Sequence, residues 1–76
     1  MGKRQYDPEK SFRAVGLTIR RLREAKGWTL EQLDGEQGFS WQQLQKIESG
    51  RNITLRTALR LAIIFNIHPS ELFTSI

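Results

Sequence analysis

Apolar residues recur at helical spacing along most of this chain. Phe12, Val15, Ile19 and Leu22 follow one another at steps of three and four, the pattern of a single buried stripe. A first helix is therefore predicted from Pro8 or Glu9 to Lys26, with Gly27 at its C-terminal end and Arg13, Arg20, Arg21 and Arg23 largely off the stripe. Thr29 and Gln32 read as the capping box of a second helix that turns Leu30 and Leu33 inward. Asp34 and Gly35 are poor helix formers, so this helix should be short, and Gly38 should end it with positive φ. Phe39 packs down and Ser40 caps a third helix that runs to about Ser49, where Gly50 stops it. Thr54 caps a fourth helix over residues 55–65, with Leu55, Leu59 and Ala62 as its inward stripe, and Asn66 ends it. Pro69 opens a last short turn through Leu72 and Phe73. The pattern predicts an all-α domain of five helices over residues 9–76, behind a flexible basic arm at residues 1–8.

The third helix holds the informative chemistry. Leu44 and Ile47 anchor it inward, while Ser40, Trp41, Gln42, Gln43, Gln45 and Lys46 point out. Glutamine pairs in a bidentate way with adenine N6 and N7, and lysine reaches guanine O6 and N7. Trp41 could cover thymine methyl groups or touch protein instead.

Composition narrows the function. A chain of 76 residues makes one domain that buries about 60% of its unfolded surface, which leaves little room for a cleft. There is no cysteine, and the single His68 stands before Pro69 without clustered carboxylates, so no metal site is expected. Ser40, Ser49, Ser70 and Ser75 have no base arrangement, Trp28 reads as packing at the corner after the first helix, and no phosphate-cradling glycine loop is present. Neither catalysis nor a cofactor is expected. No apolar run approaches a membrane span, and MGKRQYDPEK lacks the apolar core of a signal peptide, so the expected location is the cytoplasm.

Net charge is +4, unevenly spread. Residues 1–26 carry eight Lys/Arg against three acids, residues 27–39 only three acids, and residues 40–76 four bases against two acids. Two basic stretches around an acidic one could set positive charge on one face, as nucleic-acid binding requires.

In order along residues 16–73 stand GLTIRRLREAKGWT, EQL, GFS, LQKIESGR, TLRTALRLA and ELF. On these motifs the chain resembles the phage-repressor-like (XRE, Cro-type) helix-turn-helix family. The resemblance implies a five-helix lambda-repressor-like domain whose third helix enters the major groove of duplex DNA. Carried across, Trp41, Gln42 and Lys46, with Gln45 nearby, would read bases. Ser40, Gln43, Arg51, Asn52, Thr54 and Arg56 would face the phosphate backbone. Arg23 would pair with Glu48 and pin the third helix to the first.

The chain departs from the family at Leu30, where a phosphate-binding glutamine is usual, and at Asp34, where a small alanine is usual. The loop GRNIT is a residue short, with Ile53 in place of proline. Ile63 and Ile64 replace polar residues, and Ile64 should lie opposite the fourth helix's own stripe. With Phe73 and Ile76 they suggest a homodimer through the last two helices. The resulting expectation is a small transcriptional regulator, a repressor or autoregulator, that reads an inverted repeat as a dimer. Restriction-modification controllers, Cro-like repressors and antitoxins all fit. The alternative is a protein-interaction module, such as an antitoxin that mainly masks a partner protein.

Overall fold

The computed structural model describes residues 7–76. Most of the expected arm lies outside these residues. Asp7 and Pro8, its last two positions, begin the first helix: the Asp7 carboxylate accepts from the N–H groups of Glu9 and Lys10. Three α-helices follow in order, α1 (Pro8–Ala25), α2 (Trp41–Glu48) and α3 (Leu55–Phe65). The predicted second and fifth helices are 3₁₀ turns instead, at Glu31–Leu33 and Glu36–Gly38 for the second and at Pro69–Leu72 for the fifth. The described residues contain no strand. The all-α class therefore stands, while the count of five helices becomes three helices and three turns.

The Thr29–Gln32 capping box does form. Gln32 Oε1 accepts from Thr29 N at 2.7 Å, and Thr29 Oγ1 accepts from Gln32 N at 3.1 Å. Propagation fails at Asp34, whose ψ of 128° is extended, and at Gly35, whose φ of +88° is left-handed. Gly35 N then donates forward to Phe39 O rather than back along a helix. A nucleus of one turn gains too few hydrogen bonds to continue past two such residues. Helix ends elsewhere are well satisfied. After both α1 and α2 a Schellman pair closes the last turn, Gly27 to Glu24 and Trp28 to Arg23, then Gly50 to Ile47 and Arg51 to Lys46.

The core lies where the three helices meet. Val15 and Ile19 from α1, Leu44 and Ile47 from α2, and Ala58, Leu61, Ala62 and Phe65 from α3 are buried together with Leu33, Phe39 and Leu72. Trp28 stacks on Phe65 with ring centroids 6.0 Å apart and closes the core at the end of α1. No polar residue is buried among the described residues. Removing side chains such as Phe65 or Leu61 from water contributes about 1.5–3 kcal/mol each.

The inward stripe of α3 differs from the sequence reading. Ala58, Leu61, Ala62 and Phe65 face the core, whereas Leu55, Leu59 and Ile63 are 70%, 45% and 60% exposed. The reading began the stripe at Leu55, and the helix is rotated from that choice. Ile64 consequently does not point away from its core. It is half-buried against the core and borders a shallow hollow with Trp28, Gln32, Leu33 and Glu36. Ile63 is the outward member of the pair.

Candidate nucleic-acid interface

Two contacts from α1 set the position of α2. The first is a close approach of backbones. A Cβ at Gly16 would stand 2.6 Å from Ile47 O and 2.7 Å from Glu48 O, so only glycine lets the helices meet here. The second is an ion pair. Arg23 Nε donates to Glu48 Oε2 at 2.7 Å and Nη2 to Oε1 at 2.9 Å, a bidentate fork. Arg23 Nη1 donates to Trp28 O at 2.8 Å. One side chain thus joins the last turn of α1, the corner after it and the end of α2. The side chains of Arg23 and Glu48 are only 13% and 8% exposed. The hydrogen bond to Glu48 pushes the Arg23 guanidinium above its ordinary range, against the opposing effect of burial. Removing either partner would leave a largely desolvated charge without its partner, which costs more than the pair contributes.

The N-terminus of α2 is held by side chains as well. Ser40 Oγ accepts from Gln43 N at 3.1 Å, and Gln43 Oε1 accepts from Ser40 N at 2.8 Å. Asp34 Oδ1 takes the next free donor, Trp41 N, at 2.9 Å. The carboxylate that interrupts the preceding segment is therefore a second cap for this helix. On the other side, Arg60 of α3 donates from Nε to Gln37 O at 3.0 Å and also from Nη2. Its guanidinium carbon lies 4.1 Å from the centre of the Phe39 ring.

Between these supports, Gln42, Gln43, Gln45 and Lys46 are exposed along α2, while Trp41 is half-buried. Ser40 and Gln43 are occupied by the capping box, so Gln43 has its amide NH₂ left for an outside acceptor. Lys46, Arg51, Asn52, Thr54, Phe39 and Arg60 border an open hollow of about 450 Å³ between α2 and the start of α3. Thr54 Oγ1 accepts from Thr57 N at 3.1 Å and so caps α3, and Arg56 is exposed on the first turn of that helix. The structure thus brings Gln43, Arg51, Asn52 and Thr54 of the sequence-predicted backbone residues to one hollow beside α2, whereas Ser40 and Arg56 do not border it.

Two contributing residues, Gly16 and Arg60, were not singled out from the sequence, and neither was the bond between Asp34 and Trp41. Gly16 was signalled by a glycine inside a strong helical pattern, which usually has a packing reason. The partner of Asp34, seven residues away, had no local signal. Arg60, 23 residues from its partner, had no local signal either.

His68 and Ser70 also come together, with Nδ1 2.8 Å from Ser70 Oγ. The same nitrogen accepts Ser70 N at 3.1 Å, and Glu71 Oε2 accepts His68 N rather than the ring. This is a cap on the last turn, and it does not orient a nucleophile. Among the described residues, no cluster of potential metal ligands exists, and no helix is long and apolar enough to cross a membrane.

A helix-turn-helix family model matches residues 19–72. An uncharacterized HTH-type transcriptional regulator of Sinorhizobium fredii, y4dJ, is 41% identical over 61 residues, which is 79% of each protein. The crystal structure of the restriction-modification controller protein C.AhdI from Aeromonas hydrophila superposes with a TM-score of 0.78 at 35% identity. That match covers 84% of this chain and 98% of the controller.

Proposed function

This chain belongs to the XRE-type helix-turn-helix family, and from that premise we propose that it is a transcriptional regulator that reads a specific sequence in duplex DNA as a homodimer. The observation that carries the reading is α2. It is an eight-residue helix held at both ends, with Gln42, Gln45 and Lys46 presented outward and cations along one flank. In this reading α2 lies in the major groove, Gln42 and Lys46 take base edges, and Gln45 and Trp41 complete the contact. Arg51, Asn52 and Thr54, with the N–H groups at the start of α3, take phosphates, joined by Ser40, Gln43 and Arg56. The activity is binding without catalysis.

The dimer rests on α3. Leu55, Leu59 and Ile63 recur every four residues on its outer face and continue into a depression lined by Ile67 and Pro69. Phe73 and Ile76 are exposed as well. To read an inverted repeat, a dimer formed on this face has to set its two α2 helices about 34 Å apart, the span of one helical turn of DNA. With control by concentration and occupancy, the simplest role is repression or autoregulation.

Selection of duplexes from a random-sequence library, followed by salt titration, tests the proposal. Binding should weaken steeply between about 50 and 200 mM salt as counterions return to the phosphates. Gln42→Ala should relax preference at one base position. Arg51→Ala should weaken all sequences alike and lower the salt slope by about 1. Flat salt dependence, or identical profiles for the two variants, would sink the reading.

A further inference from the structure

We propose that Arg60 is a positioning residue for DNA reading, which fixes the angle at which α2 is presented without touching DNA itself. This rests on the reading of α2 as the groove helix. Arg60 lies on α3, 23 residues from the backbone it holds. Its Nε and Nη2 both donate to Gln37 O, and its flat face covers the Phe39 ring at 4.1 Å. Gln37 is one of two non-glycine residues with positive φ among those described, at 49°, so its carbonyl is aimed by a conformation that needs outside support. Phe39 is buried and directly precedes the Ser40 cap. A fork on Gln37 and a plane on Phe39 thus fix the chain on both sides of Gly38, three residues before α2 begins.

The chemistry separates this role from a phosphate contact. Arg60 borders the same hollow as Lys46 and Arg51, so position alone would make it a third cation for the DNA backbone. Its Nε and Nη2, however, are turned to Gln37 O and its face to Phe39, so this edge of the guanidinium is held by protein. Lysine supplies the charge but neither the fork nor the plane, so Arg60→Lys is not conservative in this setting.

The test uses the full chain with two probes, the duplex enriched from a random-sequence library and the unselected pool. Arg60→Lys should lose about tenfold in affinity for the enriched duplex and under about twofold for the pool, with an unchanged salt slope. Arg60→Met, which keeps an apolar stem over Phe39 but no donor, should show the same loss of discrimination. A lower folded fraction would scale both affinities equally, so their ratio reports positioning even in a destabilised variant. An unchanged ratio in both variants overturns the proposal. So does a drop in salt slope of about 1 in Arg60→Met with the ratio intact, which would make Arg60 a phosphate contact. If the unaltered protein binds no duplex with salt dependence, the DNA reading fails and this role fails with it. Discrimination by the unaltered protein that both variants match removes the Arg60 proposal alone.

Discussion

A carboxylate at position 34 disfavours continued helix, and here it turns to the next one, with Oδ1 on Trp41 N at 2.9 Å. The Ser40 and Gln43 side chains satisfy each other's backbone N–H at the same terminus. Three donors at the N-terminus of α2, the N–H groups of Ser40, Trp41 and Gln43, therefore have side-chain acceptors. Asp34→Ala should lower stability by about 1 kcal/mol in urea unfolding, the ordinary worth of an N-cap. Asp34→Asn keeps an acceptor oxygen and should lose less than half of that. Equal losses from the two variants would show that the carboxylate's charge, rather than its bond to Trp41, is what matters. The Arg23–Glu48 fork was legible from the family's motif, because both partners sit at fixed places in it. Asp34 was legible only as a departure, since nothing in the spacing of positions 34 and 41 marks them as partners.

Packing between α1 and α2 depends on one glycine in the middle of α1. Helix propensity alone argues for alanine at position 16, by about 1 kcal/mol. Sterics argue the other way, because the new Cβ would meet two backbone carbonyl oxygens at 2.6 and 2.7 Å. Carbonyls inside a helix cannot swing aside as a side chain can, so the helices must separate. Overpacking of this kind costs about 1–3 kcal/mol. Gly16→Ala should therefore destabilise the fold in chemical denaturation, and a stabilised variant would mean that α2 yields easily. The same element scale explains the missing second helix. Its capping box was readable and forms, but α-helix needs several turns to sustain itself, and Asp34 and Gly35 end it after one.

At the scale of the molecule, the outer face of α3 is the main feature that the folded monomer leaves unsatisfied. Leu55, Leu59 and Ile63 form an exposed row beside a core already closed by Ala58, Leu61, Ala62 and Phe65. Under the proposed dimer, the protein should sediment as a dimer at concentrations on the order of tens of micromolar. Ile63→Lys should shift it to monomer while leaving thermal unfolding of the monomer nearly unchanged, because the side chain is 60% exposed. A monomeric wild-type protein would remove the dimer and, with it, the preference for an inverted repeat.

By itself the sequence determined the all-α class, the bounds of α1 and α2 to within about two residues, and the outward chemistry of α2. These depend on local quantities: apolar spacing, caps and helix-ending glycines. Only the tertiary structure decided which face of α3 is buried, because Leu55 and Leu59 fit a helical stripe as well as Ala58 and Leu61 do, and only packing against the turns at Glu36–Gly38 and Pro69–Leu72 and into the shared core chooses between them. It likewise decided that the segment at residues 30–38 is two 3₁₀ turns and that Asp34 and Arg60 hold the start of α2. Those bonds join residues seven and 23 positions apart. Contacts of that kind leave no period in a sequence, since they exist only once the core has brought the elements together.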